Sequence, residues 1–232
     1  QSIAGAVSGL YCRLRKGGAM TEYYLPTGYG TSEFVEKKSR FIGEVWRVST
    51  EEEARQHVAE VKKKYHDARH SCWCYLLRDG TLRYSDDGEP QGTAGQPMLE
   101  VFSREGITDC VCVVTRYFGG ILLGTGGLAR AYTKGAKDAL LAAGTSVERL
   151  WDRILVPCSY AQFERVRQET EKRGGVIENT DYGADVMLTV LTPEGETAGY
   201  LAALTELSAG SIEGEKLEQV FRGVPVKAPE IK

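Results

Sequence analysis

"DCVCVVTRYFGGILLGTGGLARAYTKGAKDALLAAG", residues 109–144, decides how the first half of the chain is read. It opens on alternating cysteine and valine, the pattern of a buried strand. A glycine-rich loop follows, and then a helix from about Gly127 to Ala143 that Gly144 stops. This order places Gly119, Gly120, Gly124, Gly126 and Gly127 where bare backbone N–H groups can approach a ligand beside the positive end of a helix. Arg116 stands at the end of the strand. Arg130, Lys134 and Lys137 fall at i, i+4 and i+7 on one helix face, opposite Leu128, Tyr132, Ala136 and Ala139. No carboxylate lies between Cys110 and Asp138. The expectation is an anion site for phosphate groups, built from those glycines with Arg116, Arg130, Lys134 and Lys137.

Two nucleotide signatures fit this stretch poorly. "GTGGLA" matches the dinucleotide pattern GxGxxA, but "FGGILL" separates it from the strand where a tight turn is needed. Gly119 and Gly124 have the spacing of a Walker A loop, yet Thr125 stands where lysine is required.

Upstream, "SRFIGEVWRV" reads as a strand from Ser39, and "STEEEARQHVAEVKKKY" as a helix capped by Ser49 or Thr50, with acids first and Lys62–Lys64 last. "SCWCYLL" is a strand, "RDGTLRYSDDGEPQGTAGQP" a polar loop and "PMLEVFSREG" a short helix. Downstream the rhythm changes. "RILVPCS", "YAQFERVRQETEKRGG", "VIENTDYG", "ADVMLTVLTP", "GETAGYLAALTELSAG" and "SIEGEKLEQV" read as β-α-β-β-α-β, the order of a ferredoxin-like domain. Expected boundaries are a disordered extension over 1–20, with Met20 as the natural start, an N-terminal domain over 21–146, a C-terminal domain over 151–220 and a tail over 221–232.

With 232 residues and 42% hydrophobic content the chain can bury a large core. Its longest apolar runs are too short to cross a bilayer, so no membrane partner is expected. The six cysteines form no CxxC pair, which argues against structural zinc and for a reducing, cytoplasmic compartment. The net charge is −3, and residues 151–232 hold 14 acids against 9 cations. Any polyanion site must therefore be local.

"YSDDGEP" offers Asp86, Asp87 and Glu89, oxygen ligands that could hold magnesium or act as acid and base; an Asx-rich turn closed by Gly88 and Pro90 is the commoner use of such residues. "HDARHSCWC" brings His66, His70, Cys72 and Cys74 close in sequence. Core packing is the expected role of these cysteines, and His70, Asp86, Asp87 and Glu89 are candidate groove residues. No catalytic residue, metal or cofactor is assigned.

Taken together, "SRFIGEV", "ARHSCWCYLL", "SDDGEPQGTAGQPML" and "VVTRYFGGILLGTGGLARAY" resemble the Impact family, and the ferredoxin-like tail is similar to the second domain of its bacterial members. Ser71 departs from the asparagine many relatives carry there. The resemblance implies an α+β protein. Its first domain would be a two-layer α/β domain of the type seen in a small-subunit ribosomal protein and in domain four of elongation factor G; the second is similar to that factor's domain five. The resemblance also implies that eukaryotic members regulate translation by competing for the activator of an initiation-factor kinase, but those carry an additional protein-binding domain ahead of the shared one, where only a short extension is read here, so that partner is not expected to carry over.

Two functions follow as expectations. The preferred one is a non-enzymatic, translation-associated binding protein that docks on RNA or ribosome surfaces through the glycine loop and basic helix face, with a protein partner in translation as a further prospect. The alternative is a metal-assisted enzyme acting on a phosphorylated small molecule or nucleotide, with Asp86, Asp87 or Glu89 holding the metal. Oligomeric state is left open.

Overall fold

The computed structural model describes residues 22–226. The expected extension over 1–20 and residues 227–232 of the expected tail lie outside them. The chain divides into two compact units: the first runs to Val147 and takes in the residues from Val224, and the second is Glu148–Gly223.

The first unit contains β1 (Glu22–Pro26), β2 (Gly30–Glu36), β3 (Ser39–Arg47), α1 (Glu51–Lys64), β4 (His70–Leu76), β5 (Leu82–Ser85), α2 (Gly95–Arg104), β6 (Cys110–Tyr117) and α3 (Thr125–Ala143). Its antiparallel sheet runs β2-β3-β6-β4-β5. Strand parity sorts the core. Cys110, Cys112 and Val114 of β6 share a cluster with Met98 and Phe102 of α2 and Tyr132 and Ala136 of α3. The intervening Val111 and Val113 pack with Ala54, Val58 and Val61 of α1, which adds a further layer on the opposite face. Thr50 caps α1 by accepting from the Glu53 N–H at 3.2 Å, while the acids Glu51–Glu53 and the cations Lys62–Lys64 sit at the ends the helix dipole favours.

The helix α3 lies close against the sheet because small residues meet there. A Cβ on Gly43 of β3 would stand 2.4 Å from the Gly135 carbonyl oxygen, and one on Gly30 of β2 would stand 2.3 Å from that of Ala139. The Ser32 hydroxyl donates to the same Gly135 oxygen at 3.0 Å.

In the second unit β7 (Thr145–Cys158), α4 (Tyr160–Lys172), β8 (Val176–Tyr182), β9 (Val186–Pro193), α5 (Thr197–Leu207) and β10 (Glu215–Val226) follow the β-α-β-β-α-β order read from sequence. The strands lie as β10-β7-β9-β8, so the antiparallel β9 separates β7 from β8, as in the ferredoxin-like split βαβ. Ile154, Val156, Leu188 and Val190 form its core with Val166, Tyr200 and Leu204 of the helices. Among the described residues no helix is long and apolar enough to cross a membrane.

Candidate functional site

Arg116 is the first predicted site residue that the structure reassigns. It continues the Cys110, Cys112, Val114 parity of β6, so its side chain enters the face covered by α3 and is only 5% exposed. Its Nη1 donates to Glu89 Oε1 at 2.7 Å and its Nη2 to Ser39 Oγ at 3.2 Å. The guanidinium also lies 5.6 Å from the Phe41 ring and 5.3 Å from the Phe118 ring. Tyr132 of α3 donates to the same Glu89 oxygen at 2.9 Å, and burial pushes its hydroxyl pKa far up, so it remains a donor. Arg116 is therefore a neutralised internal cation rather than an open phosphate ligand. Its Nε is buried without an acceptor.

The three carboxylates of "YSDDGEP" are likewise spent. Asp86 accepts from the Ala94 and Gly95 N–H groups at 3.0 and 2.9 Å and from Gly92 N–H at 2.8 Å, which satisfies the otherwise uncapped amino end of α2. Asp87 accepts from Lys62 Nζ at 2.6 Å and from the Ser71 N–H at 2.7 Å. Glu89 holds Arg116 and Tyr132. Among the described residues no His, Cys, Asp and Glu group has a metal-holding arrangement. The oxygens of these three residues serve the fold.

His70 is held by its own neighbours. Nδ1 lies 2.8 Å from the Asp87 carbonyl oxygen, an acceptor only, so Nδ1 carries the proton and Nε2 is the free ring position. Cys72, Cys74, Cys110 and Cys112 are fully buried in the core cluster, and burial pushes the thiol pKa of Cys72 far up. A thiol held protonated in that way is a poor nucleophile.

The glycine loop divides into packed and open positions. Gly119 gives its N–H to Ser39 Oγ at 3.2 Å, and a Cβ there would stand 2.0 Å from the Lys38 carbonyl. Close packing, not ligand contact, explains that glycine, which corrects its place in the predicted anion site. Gly120 and Gly124 have φ values of 84° and 75° and open space where a Cβ would be. Gly124 forms the N-cap of α3, whose first turn, with Gly126 and Gly127, carries no acid and receives no side-chain cap. Its leading N–H groups are thus left for solvent or a ligand. Arg130 is exposed, and its Nη1 would lie 3.6 Å from a Cβ on Gly126, along that first turn. Lys134, by contrast, pairs with Asp138 one turn on and stands 4.9 Å from the Phe34 ring, while Lys137 is half-buried farther along. The basic face thus narrows to Arg130 at the helix start.

A cleft of about 360 Å³ opens at this helix end. It is lined from three separate stretches: Arg69 and His70, then Glu89 and Pro90, then Arg116, Phe118 and Leu122–Thr125 with Leu128. His70, Glu89, Arg116 and Gly124 are thus brought together, whereas Asp86, Asp87, Gly119, Gly120, Gly126, Gly127, Arg130, Lys134 and Lys137 do not line it. Arg69, Pro90, Phe118 and Leu122 were missed from sequence. The apolar residues before and between the loop's glycines were the available signal, and in the fold Phe118 is 39% and Leu122 81% exposed. A second cavity, about 410 Å³, lies in the second unit around Arg153, Ile177 and Phe221 and holds none of the sequence-predicted residues.

Fold and cleft together define an α+β protein of two units whose first unit presents a small, largely apolar cleft at an uncapped helix start. A model described as the Impact N-terminal domain matches residues 37–140, and one described as a domain of unknown function (DUF1949) matches residues 156–211. IMPACT family member YvyE of Bacillus subtilis (strain 168) is 39% identical over 202 residues, 86% of this chain and 93% of the relative. IMPACT family member YigZ of Escherichia coli (strain K12) is 38% identical over 187 residues, 79% and 92% of the two chains. A crystal structure described only as that of a hypothetical protein shares 36% identity at a TM-score of 0.55, covering 86% of this chain and 99% of its own. The chain belongs to the IMPACT family.

Proposed function

We propose that this chain is a non-enzymatic, translation-associated binding protein of the cytoplasm that receives RNA phosphates at the amino end of α3, on free RNA or on a ribosome surface. The observation that carries the reading is the meeting of three sequence stretches in one cleft at a helix start with no side-chain cap and no acid in its first turn. Open N–H groups, the helix dipole and Arg130 favour an anion there, and Glu89 does not oppose it because Arg116 neutralises it. The resemblance to translation-factor domains supports RNA as the source of the phosphate. The acidic second unit is a surface for a basic protein partner in translation.

The test is binding of purified protein to labelled RNA across a salt series. With two to three phosphates engaged, the logarithm of affinity should fall with that of salt at a slope of about −1.5 to −2 for a single strand. Arg130→Glu should lower affinity roughly ten-fold and flatten the slope, with Lys134→Glu weaker in effect. Absent or salt-insensitive binding overturns the reading.

A further inference from the structure

The walls of the cleft ask for more than phosphate. An oxyanion needs donors and cations, yet much of this cleft is Pro90, Phe118, Leu122, Leu123 and Leu128. Leu122 holds an apolar side chain 81% exposed on a loop flanked by glycines, and Phe118 backs onto the buried Arg116 guanidinium at 5.3 Å. Exposed apolar surface converging on a concavity marks a binding site. Its volume, about 360 Å³, stands at the low end of the roughly 300–1,000 Å³ of small-molecule pockets, room for one nucleotide rather than a protein segment. Besides the exposed Arg69, the polar groups within are few. The His70 ring is set by the Asp87 carbonyl at 2.8 Å, which leaves Nε2 as its free position, and Arg116, 5% exposed, keeps an Nε–H without an acceptor.

We infer that the cleft is a base pocket: an unpaired nucleobase of single-stranded RNA enters among Phe118, Leu122 and Pro90 while its phosphate rests at the amino end of α3. The inference builds on the RNA reading above and narrows it. Charge complementarity selects the occupant, because the exposed Arg69 and the uncapped helix start at Gly124 and Thr125 line the cleft beside its apolar walls as a phosphate adjoins its base. With Nδ1 turned to the Asp87 carbonyl, His70 presents Nε2 to the base edge. Paired bases in an A-form duplex cannot present a free face to such a cleft, so the pocket discriminates against double strands.

The experiment measures fluorescence anisotropy of a short unstructured RNA oligonucleotide, the same strand annealed to its complement, and a free mononucleotide, all at one salt concentration. The single strand should bind at least about ten-fold more tightly than the duplex, since base stacking on aromatic side chains needs an open face, and than the mononucleotide, since only the strand brings the two to three phosphates of the reading above. Phe118→Ala should lower single-strand affinity roughly ten-fold with the salt slope unchanged, because no phosphate contact is lost. Leu122→Ser, at a largely exposed position where folding is not at stake, should act in the same direction. Equal binding of single strand and duplex, or unchanged affinity in both variants, overturns the base pocket while salt-dependent binding leaves the phosphate reading standing. A mononucleotide that binds as tightly as the oligonucleotide overturns strand recognition. No RNA binding at any salt overturns both readings.

Discussion

Glu89 is the residue on which the first unit's buried polar network turns. Its Oε1 receives both the Arg116 guanidinium and the Tyr132 hydroxyl, and side-chain exposure is 4% for Glu89 and 5% for Arg116. Two charges removed from water are tolerated only as a pair, and deleting one leaves the other uncompensated. Glu89→Ala should therefore cost about 3–5 kcal/mol of stability, read as a lower midpoint in urea unfolding. Glu89→Gln, which keeps an acceptor but loses the charge, should fall between that variant and the natural protein. A midpoint unchanged in both would show that the pair contributes nothing to the fold. The sequence reading placed Arg116 in an open anion site because a glycine loop free of acids follows it, although it shares the parity of Cys110, Cys112 and Val114 that turns it inward. Its partner was not legible, because Glu89 lies 27 positions earlier in a polar loop and only the folded sheet brings the two together.

At the level of elements, the helices announced themselves and some strands did not. Acid-first, lysine-last patterning and Thr50 marked α1, and Gly144 marked the end of α3. β2 and β5 carry no comparable signal. β2 forms through its register with β3, from Gly30 opposite Val45 to Glu36 opposite Ser39, and β5 through four residues paired with β4. Pairing by a neighbour, not intrinsic pattern, makes them strands. The contact between α3 and β3 then yields opposite outcomes for two glycine-to-alanine changes. At Gly43 the added methyl meets the Gly135 carbonyl at 2.4 Å, so Gly43→Ala should destabilise by about 1–3 kcal/mol or more as the helix is pushed off the sheet. At Gly126 the space is open except for Arg130 Nη1 at 3.6 Å, so Gly126→Ala should be neutral or stabilise by up to about 1 kcal/mol through helix propensity. Thermal melting distinguishes them, and equal loss in both would show that the helix does not sit as tightly as these distances require.

For the whole molecule, the sequence order β-α-β-β-α-β was enough to foresee the second unit's topology, because hydrophobic alternation and turn residues bound each of its elements. What it could not show is that an acid-rich unit places carboxylates inside, Glu148 at 6% exposure and Asp152 among them. Asp152 of β7 is 3% exposed. Burial alone pushes its pKa up, but hydrogen bonds from Lys216 at 2.8 Å, from Thr197, and from Gln219 at 2.8 Å outweigh that and hold it below the ordinary carboxylate value. A carboxyl whose pKa is lower folded than unfolded stabilises the fold fully above its unfolded value, about 3.9, and loses that contribution as pH falls through the folded value. The second unit should accordingly weaken as pH drops below about 4. Trp151, next in the chain and 7% exposed, can report this once Trp46 and Trp73 of the first unit are replaced by phenylalanine. In that background Asp152→Asn should lower stability at neutral pH, where the charged partner Lys216 loses its counterion, and should flatten the acid limb of the Trp151 fluorescence transition. An acid limb of undiminished steepness in the asparagine variant would mean that other carboxylates, not Asp152, set the pH response of this unit.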